Sequence, residues 1–399
     1  MSLQSDNRKK ADAMVIIAFM FLALFFVVGC SGGGGGGSDE PTPVAVVDDD
    51  VVVDTTIVKD GTEVETEALV ALGELIYKDT NLSSPAGQSC ASCHSPDAGF
   101  ADPNQMNPSS IGADGFSFGE RNAPTASYAA HIPTAQTVLR VPLNGDDPVP
   151  TLIGGQFWDG RVADLEEQAK LPFLGDVEMG NADEAEVISK IRQANYADEF
   201  EELFGADVLN DVDRSYAYVA DAIAAFERTE LFSPFSSKFD RVQNGTDSFT
   251  AQELRGQQLF NGRAQCNRCH AAQDGEAELF SDFEFHNIGV PSNPLLSAFM
   301  EDPNFVDLGL GAVTNDRRDD GKFKTPTLRN VALTAPYMHN GVFTTLTEVV
   351  DFYNRRDSGF GTTPEVDRNV ANGGEIGELG LSAQDVADLV AFMESMTDQ

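Results

Sequence analysis

Residues 90–94 read CASCH and residues 266–270 read CNRCH. Each is a C-x-x-C-H pentapeptide, the attachment signature of c-type haem, and the presence of two copies governs how the rest of the chain is read. In such a motif the paired thiols, Cys90 with Cys93 and Cys266 with Cys269, add to the haem vinyl groups. The adjacent His94 or His270 is then held beneath the iron as its proximal ligand. One copy alone could equally be a redox dithiol or part of a zinc site. The chain has five cysteines, and Cys30 lies in a segment of different character, so the two motifs account for every cysteine of the body.

The surroundings of the motifs repeat as well. LGELIY (72–77) precedes the first and RGQQLF (255–260) the second, so each has a glycine and an apolar-aromatic pair ahead of it. Thr250 with Glu253 reads as a capping box that starts the second of these helices. Ser382 with Asp385 starts a C-terminal helix whose Val386, Leu389, Val390 and Met393 share one face. A helix over 213–230 carries Tyr216, Val219, Ile223 and Phe226 on one side, and the turn-rich stretch that follows suggests a boundary near 245. Few alternating β-type runs occur. The expected fold is mainly α, with two cytochrome c-like haem domains and long loops: an N-terminal haem domain over 65–245 and a C-terminal one over 246–399.

Ahead of this body, Arg8, Lys9 and Lys10 precede an apolar run, MVIIAFMFLALFFVV (14–28), that ends in Gly29-Cys30. Residues 1–30 resemble a bacterial lipoprotein-type signal peptide, with Cys30 lipidated as the mature N-terminus. An uncleaved anchor is the alternative, although the run is short for a membrane span. Residues 31–64, rich in Gly, Pro and Asp, read as a flexible tether. The body is therefore expected on the periplasmic side of a bacterial membrane, lipid-anchored through Cys30. The chain carries 26 Lys and Arg against 64 Asp and Glu, a net charge of −38, which excludes attraction to a phosphate backbone and so predicts no nucleic-acid partner.

Two haems can carry electrons or do chemistry, depending on whether an iron keeps an open position. Besides the motif histidines the chain has His131, His286 and His339, and spacing alone does not choose a distal ligand among them. From about 65 to 398 the chain resembles bacterial di-haem cytochrome c peroxidases and their MauG-like relatives. The resemblance rests on both haem motifs, RNAPT (121–125), FWDGR (157–161) with EEQ (166–168) and EMG (178–180), FKTPTLRN (323–330) and APYMHNG (335–341). It implies a peroxidatic N-terminal haem, a six-coordinate C-terminal haem that receives electrons, and Trp158 relaying between them; the alternative for Trp158 is a residue buried for packing. It also implies that Glu178 is the acid-base group for peroxide and Gln168 a polar group that orients it. Asn122, by side chain, and Thr334 and Pro336, by backbone carbonyl, would hold a calcium ion. Lys324 and Arg329 are candidate partners for haem propionates. One departure from the peroxidase branch stands out: the loop 111–121 contains no histidine, and His131 follows the RNAPT motif where the branch has its ligand before it. The first haem is therefore expected to be open at rest.

Thr345 and Glu348 form another capping box, and from it Leu346, Val349, Val350 and Tyr353 fall on one helical face. Tyr353 thus points inward, as either a core aromatic or a ligand would. Tyr353 stands fourteen residues after His339, where the peroxidases place a methionine ligand and the MauG-like branch a tyrosine, so the resemblance makes Tyr353 the second axial ligand of the C-terminal haem; Met338 competes for that role. The expected function is an exported di-haem c-type peroxidase that reduces hydrogen peroxide with electrons from a small c-type cytochrome or copper protein. The alternatives are a MauG-like oxidase modifying a protein substrate through a high-valent state, and a non-catalytic di-haem electron carrier.

Overall fold

The computed structural model describes residues 56–59, 62–140, 148–271, 278–302, 304–371 and 376–399. The signal-type segment, Cys30 and most of the expected tether lie outside the described residues. Helix α1 (Thr66–Lys78) leads to the single turn α2 (Cys90–Cys93), which carries the first motif; α3 (Leu165–Leu174), α4 (Glu184–Ile191), α5 (Ala197–Phe204) and α6 (Val212–Glu227) follow. The second half contains α7 (Lys238–Gln243), α8 (Ala251–Phe260), α9 (Pro294–Phe299), α10 (Leu310–Thr314), α11 (Leu346–Arg355) and α12 (Ala383–Glu394). Among the described residues, strands form only two-stranded antiparallel pairs: β1 (Thr56–Lys59) with β2 (Thr62–Glu65), β3 (Gln136–Arg140) with β4 (Val149–Ile153), and β5 (Phe285–His286) with β6 (Phe323–Lys324). The mostly helical expectation holds. The β1–β2 pair overlaps the end of the stretch read as tether, where β-branched Ile57, Val58 and Val64 flank an Asp-Gly dipeptide in the sequence, a pairing that favours a hairpin. Among the described residues no helix is long and apolar enough to cross a membrane.

The three capping boxes form as their spacing requires: Thr250–Glu253 opens α8, Thr345–Glu348 opens α11 and Ser382–Asp385 opens α12. Each serine or threonine oxygen accepts from the N3 amide while the N3 carboxylate accepts from the cap amide, so two otherwise unpaired helix donors are satisfied. Apolar faces at i, i+3, i+4 and i+7 then collect into two main cores. One gathers Leu72, Ile76, Tyr77, Phe173, Val219, Ile223 and Phe226. The other gathers Phe260, Phe280, Leu346, Val350, Leu389, Phe392 and Met396. The chain passes from the first to the second between Phe232 and Phe239, slightly before the turn at 245.

The glycine shared by the two repeated stretches explains how each motif is framed. A Cβ on Gly73 would lie 1.9 Å from the carbonyl oxygen of Ala222, where α1 crosses α6. A Cβ on Gly256 would lie 2.0 Å from the carbonyl oxygen of Asp388, where α8 crosses α12. In both halves the helix before the haem motif rests on its partner at backbone contact, a distance only glycine permits. Tyr77 and Phe260, four residues further on, reach the respective cores. Gly73→Ala and Gly256→Ala would each add about 1 kcal/mol of helix propensity. They would also overpack a backbone-to-backbone crossing, at about 1–3 kcal/mol or more, because a carbonyl cannot swing aside. Both variants are expected to lower the thermal unfolding midpoint of the holoprotein, whereas Gly245→Ala, with nothing near its Cβ position, reports only the cost of a positive φ.

Candidate functional site

Both motif histidines are half-buried and are held in the same way. The Nδ1 of His94 lies 3.1 Å from the carbonyl oxygen of Phe100, and the Nδ1 of His270 lies 2.7 Å from that of Phe280. Phe100 and Phe280 share a left-handed backbone, with φ of 59° and 54°, uncommon for a bulky residue. Burial pushes both imidazole pKa values down, with the two carbonyls and the charges of Asp102 and Asp282 opposing. The rings are therefore neutral, with Nδ1–H donating to the carbonyl and the Nε2 lone pair left for a metal. This is the donor state that haem iron needs, so the residues present fit haem at both motifs. A signal for it was present in the sequence and was missed: each motif is followed by Phe-x-Asp, at Phe100 to Asp102 and at Phe280 to Asp282.

Beside the second motif lies a cavity open to solvent, with about 1660 Å³ of empty space when its open mouth is included. Cys266, Cys269 and His270 form one wall. Leu346, Val349, Val350 and Tyr353 all line it as well, so the helical face of α11 deduced from its cap is the face turned to the cavity. Burial raises the Tyr353 phenol pKa, the nearby thiols of Cys269 and Cys266 add to this, and Arg356 opposes. A phenolate at this position would need a metal cation to compensate for the lost water. Met338 lines the same cavity. His339 does too, but its ring stacks on Phe323 at 3.7 Å and its Nε2 lies 3.4 Å from Glu365 Oε2. His286 reaches Asp282 with its Nε2 at 3.1 Å.

Near the first motif the chain brings in Glu178. The Cys93 thiol is pushed up to about 11, first by burial, with the Ser110 hydroxyl opposing and the negative charges of Asp102 and Glu178 adding to it. Glu178 is thus close enough to be felt at the motif. Its turn is clamped at several points. The Glu178 amide donates to the Gly175 carbonyl, its carbonyl accepts from Ala113 of the 111–121 loop, and the Met179 amide donates to Pro172. A Cβ on Gly175 would lie 2.2 Å from Glu178 Oε2, so the missing side chain makes room for this carboxyl. Glu178 is exposed as a residue, yet protein lies against its carboxyl on the side of Gly175, and burial there raises its pKa, with Arg161 opposing. Gln168 sits half-buried on α3, one turn before Pro172, which lacks the N–H that would bond the Gln168 carbonyl.

Between the halves lies a second cavity, of about 950 Å³. Trp158 lines both cavities, and its indole N–H donates to the Asn122 carbonyl at 2.8 Å. Asn122, Thr334 and Pro336 line the cavity between the halves, and the Asn122 side-chain amide meets the Pro336 carbonyl at 2.5 Å. Lys324 also borders both cavities, its ammonium donating to the Gly155 carbonyl and its amide to that of Trp158. Burial pushes its pKa down to about 7, against the pull of Asp159. Arg329 corrects the expectation made for it. Its guanidinium is 1 % exposed and forks onto Asp240 at 2.6 and 2.8 Å, with Nε on the Glu278 carbonyl, so its donors serve the fold instead of a propionate. The His131 ring lies between those of Tyr128 and Phe235, with centroids 6.2 and 5.4 Å away.

Two neutral histidines behind paired C-x-x-C motifs, one beside a large and mostly apolar cavity, define a di-haem c-type cytochrome enzyme. A family model described as di-haem cytochrome c peroxidase matches residues 67–248. The chain is 41 % identical over 358 residues to the methylamine utilization protein MauG of Paracoccus denitrificans, covering 84 % of this chain and 89 % of that protein. It is 32 % identical to a cytochrome-c peroxidase of Pseudomonas sp. strain SCT, over 82 % and 80 % of the two chains. The crystal structure of the diheme peroxidase BthA from Burkholderia thailandensis matches with a TM-score of 0.75 at 32 % identity, over 87 % of this chain and 92 % of that one. The chain belongs to the di-haem cytochrome c peroxidase family, an oxidoreductase family whose members carry two haem c groups. Replacing Cys266 and Cys269 together by Ser is expected to leave one covalent haem per chain, read by intact mass and by haem-to-protein ratio. The corresponding change at Cys90 and Cys93 should leave the other.

Proposed function

We propose that the chain is an exported di-haem peroxidase that reduces hydrogen peroxide at the N-terminal haem with electrons entering through the C-terminal haem. The observation that carries this reading is the difference between the two sites. A carboxyl with a raised pKa, Glu178, stands near the first motif, and a phenol, Tyr353, faces the cavity of the second. Haem supplies an iron that binds peroxide and stores oxidising equivalents. Glu178 accepts a proton from one peroxide oxygen and returns it to the other, so that the departing oxygen leaves as water. Gln168 orients the peroxide by hydrogen bonding, and Trp158, lining both cavities, passes the electron between the halves. Asn122 with the carbonyls of Thr334 and Pro336 would hold a calcium ion that ties the 121–125 segment to the 334–341 segment. The two halves act as haem domains. The electron donor is a small c-type cytochrome or copper protein, and the signal-like run ending at Cys30 supports a lipid-anchored enzyme at the periplasmic face.

A second reading is favoured by Tyr353. A hard phenolate ligand favours oxidised iron and lowers the potential of that site relative to methionine. The chain would then act as a MauG-like oxidase drawing electrons from a protein substrate. The ferric protein as isolated is expected to give one high-spin and one low-spin EPR signal, and two low-spin signals would instead mark an electron carrier. Tyr353→Met should shift turnover toward a cytochrome donor and shorten the lifetime of the peroxide-oxidised state; no change in either would remove Tyr353 from the iron.

Because burial raises the Glu178 pKa above its ordinary value, the carboxyl stays protonated to higher pH than a free glutamate. It can serve as a base only once deprotonated. Peroxide reduction should therefore rise as pH climbs through this raised pKa and be lost as pH falls below it. Glu178→Gln is expected to retain both haems, to slow peroxide reduction by about 10²–10⁴-fold and to flatten that pH limb in stopped-flow measurements.

A further inference from the structure

The chain has seven tyrosines, and among the described residues Tyr128 and Tyr196 each donate to a carboxylate. Tyr128 Oη reaches Asp398 Oδ2 at 2.7 Å, and Tyr196 Oη reaches Asp79 Oδ2 at 2.8 Å. Of the two, Tyr128 lines the cavity between the halves, together with Trp158. Its ring is 2 % exposed, and its hydroxyl oxygen also accepts from the Phe235 amide at 3.1 Å. The phenol therefore has a base for its proton and a donor that would remain on its oxygen once the proton had gone. Asp398 is held for this contact. Its Oδ2 accepts from Asn330 Nδ2 at 3.0 Å, and its Oδ1 accepts from the Ser236 amide at 2.9 Å.

The electrostatics around the ring restrict how it could be oxidised. The Arg329 guanidinium lies 5.3 Å from the ring centroid, and a fixed cation there disfavours a positively charged phenol radical. Burial also raises the phenol pKa, with Arg329 opposing and the Asp398 bond adding, so the proton does not leave by itself. An electron can depart readily only if the proton moves to Asp398 in the same event. Asp398 is half-buried and can exchange that proton with solvent afterwards.

We infer that Tyr128 is a one-electron redox site that gives its electron across the cavity, by way of Trp158, to the peroxide-oxidised haem pair and its phenolic proton to Asp398. This rests on the peroxidase reading above. Hydrogen peroxide takes two electrons and two protons to leave as two waters, and without a donor protein the haem pair remains two electrons short. Tyr128 returns one of them: its O–H bond breaks, the proton joins the Asp398 carboxylate, and a neutral phenoxyl remains with one oxidising equivalent on the haems. When a donor arrives, an electron and the Asp398 proton restore the phenol.

The holoprotein would be mixed with hydrogen peroxide without any donor, freeze-quenched, and read by EPR and haem absorbance, with a parallel sample grown on ring-deuterated tyrosine. A phenoxyl signal that narrows on deuteration is expected. It should be lost in Tyr128→Phe, which preserves the packing, and in Asp398→Asn, which can still accept the hydrogen bond but is no longer a base. It should persist in Tyr196→Phe. Thermal unfolding of each variant separates loss of the site from loss of fold, and if either of the first two misfolds, the other carries the test. A haem absorbance change with the same phenoxyl signal in Tyr128→Phe, or with no phenoxyl signal in the parent, would overturn this inference alone. No haem response to peroxide would overturn it together with the peroxidase reading.

Discussion

The close crossing of two helix pairs is the constraint on which the rest of the molecule depends. With a glycine at the crossing, α1 lies on α6 and α8 lies on α12 with backbone against backbone. That closeness fixes where each C-x-x-C-H segment leaves its helix. It also sets Tyr77 and Phe260 into the two cores. Dispersion contacts fall off steeply with separation, so a gap of even one methyl group along these crossings would loosen every side chain packed behind them.

Charge then fastens what apolar packing brings near. Arg121 forks onto Asp307 at 2.6 and 2.8 Å and reaches Asp159 at 2.6 Å. One guanidinium therefore ties the RNAPT segment to the FWDGR turn and to a loop of the second half. Arg329 does the same around Asp240, with Tyr128, Phe235, Phe239 and Phe280 around it. Pairs this buried contribute little net stability against an apolar replacement, because desolvation offsets the attraction; breaking one by removing a partner is costly. Their use here is geometric, since a bidentate fork tolerates a single arrangement. It holds the Trp158 segment and the Tyr128 ring in place beside the cavity between the halves.

Much of the site was legible because covalent and helical periodicities are local. The two haem motifs, the three capping boxes and the inward face carrying Tyr353 each follow from residues within a few positions of one another, and the structure returns all of them. Less legible was what holds these groups. The carbonyls of Phe100 and Phe280 act through backbone geometry, and backbone atoms have no letter in a sequence, although the repeated Phe-x-Asp pointed to them. The room that Gly175 leaves for the Glu178 carboxyl was invisible for a related reason: the role of a glycine depends on what approaches it. Arg329 was open to two readings because a cation in this motif suits a propionate as well as an aspartate, and only the fold brought Asp240 within reach.

By itself the sequence determined that the chain carries two c-type haem attachment sites, that it is mostly helical, and which side of α11 turns inward. These rest on short-range chemistry: thiol spacing, cap hydrogen bonds and the 3.6-residue helical period. Tertiary structure alone decided that Gly73 and Gly256 mark helix crossings, that Trp158 borders both cavities, and that Asp398 near the C-terminus meets Tyr128 from the first half. Those relations join residues separated by a hundred positions or more in several cases. No local pattern encodes them, because they arise only when two separately patterned apolar cores pack and carry their polar edges together.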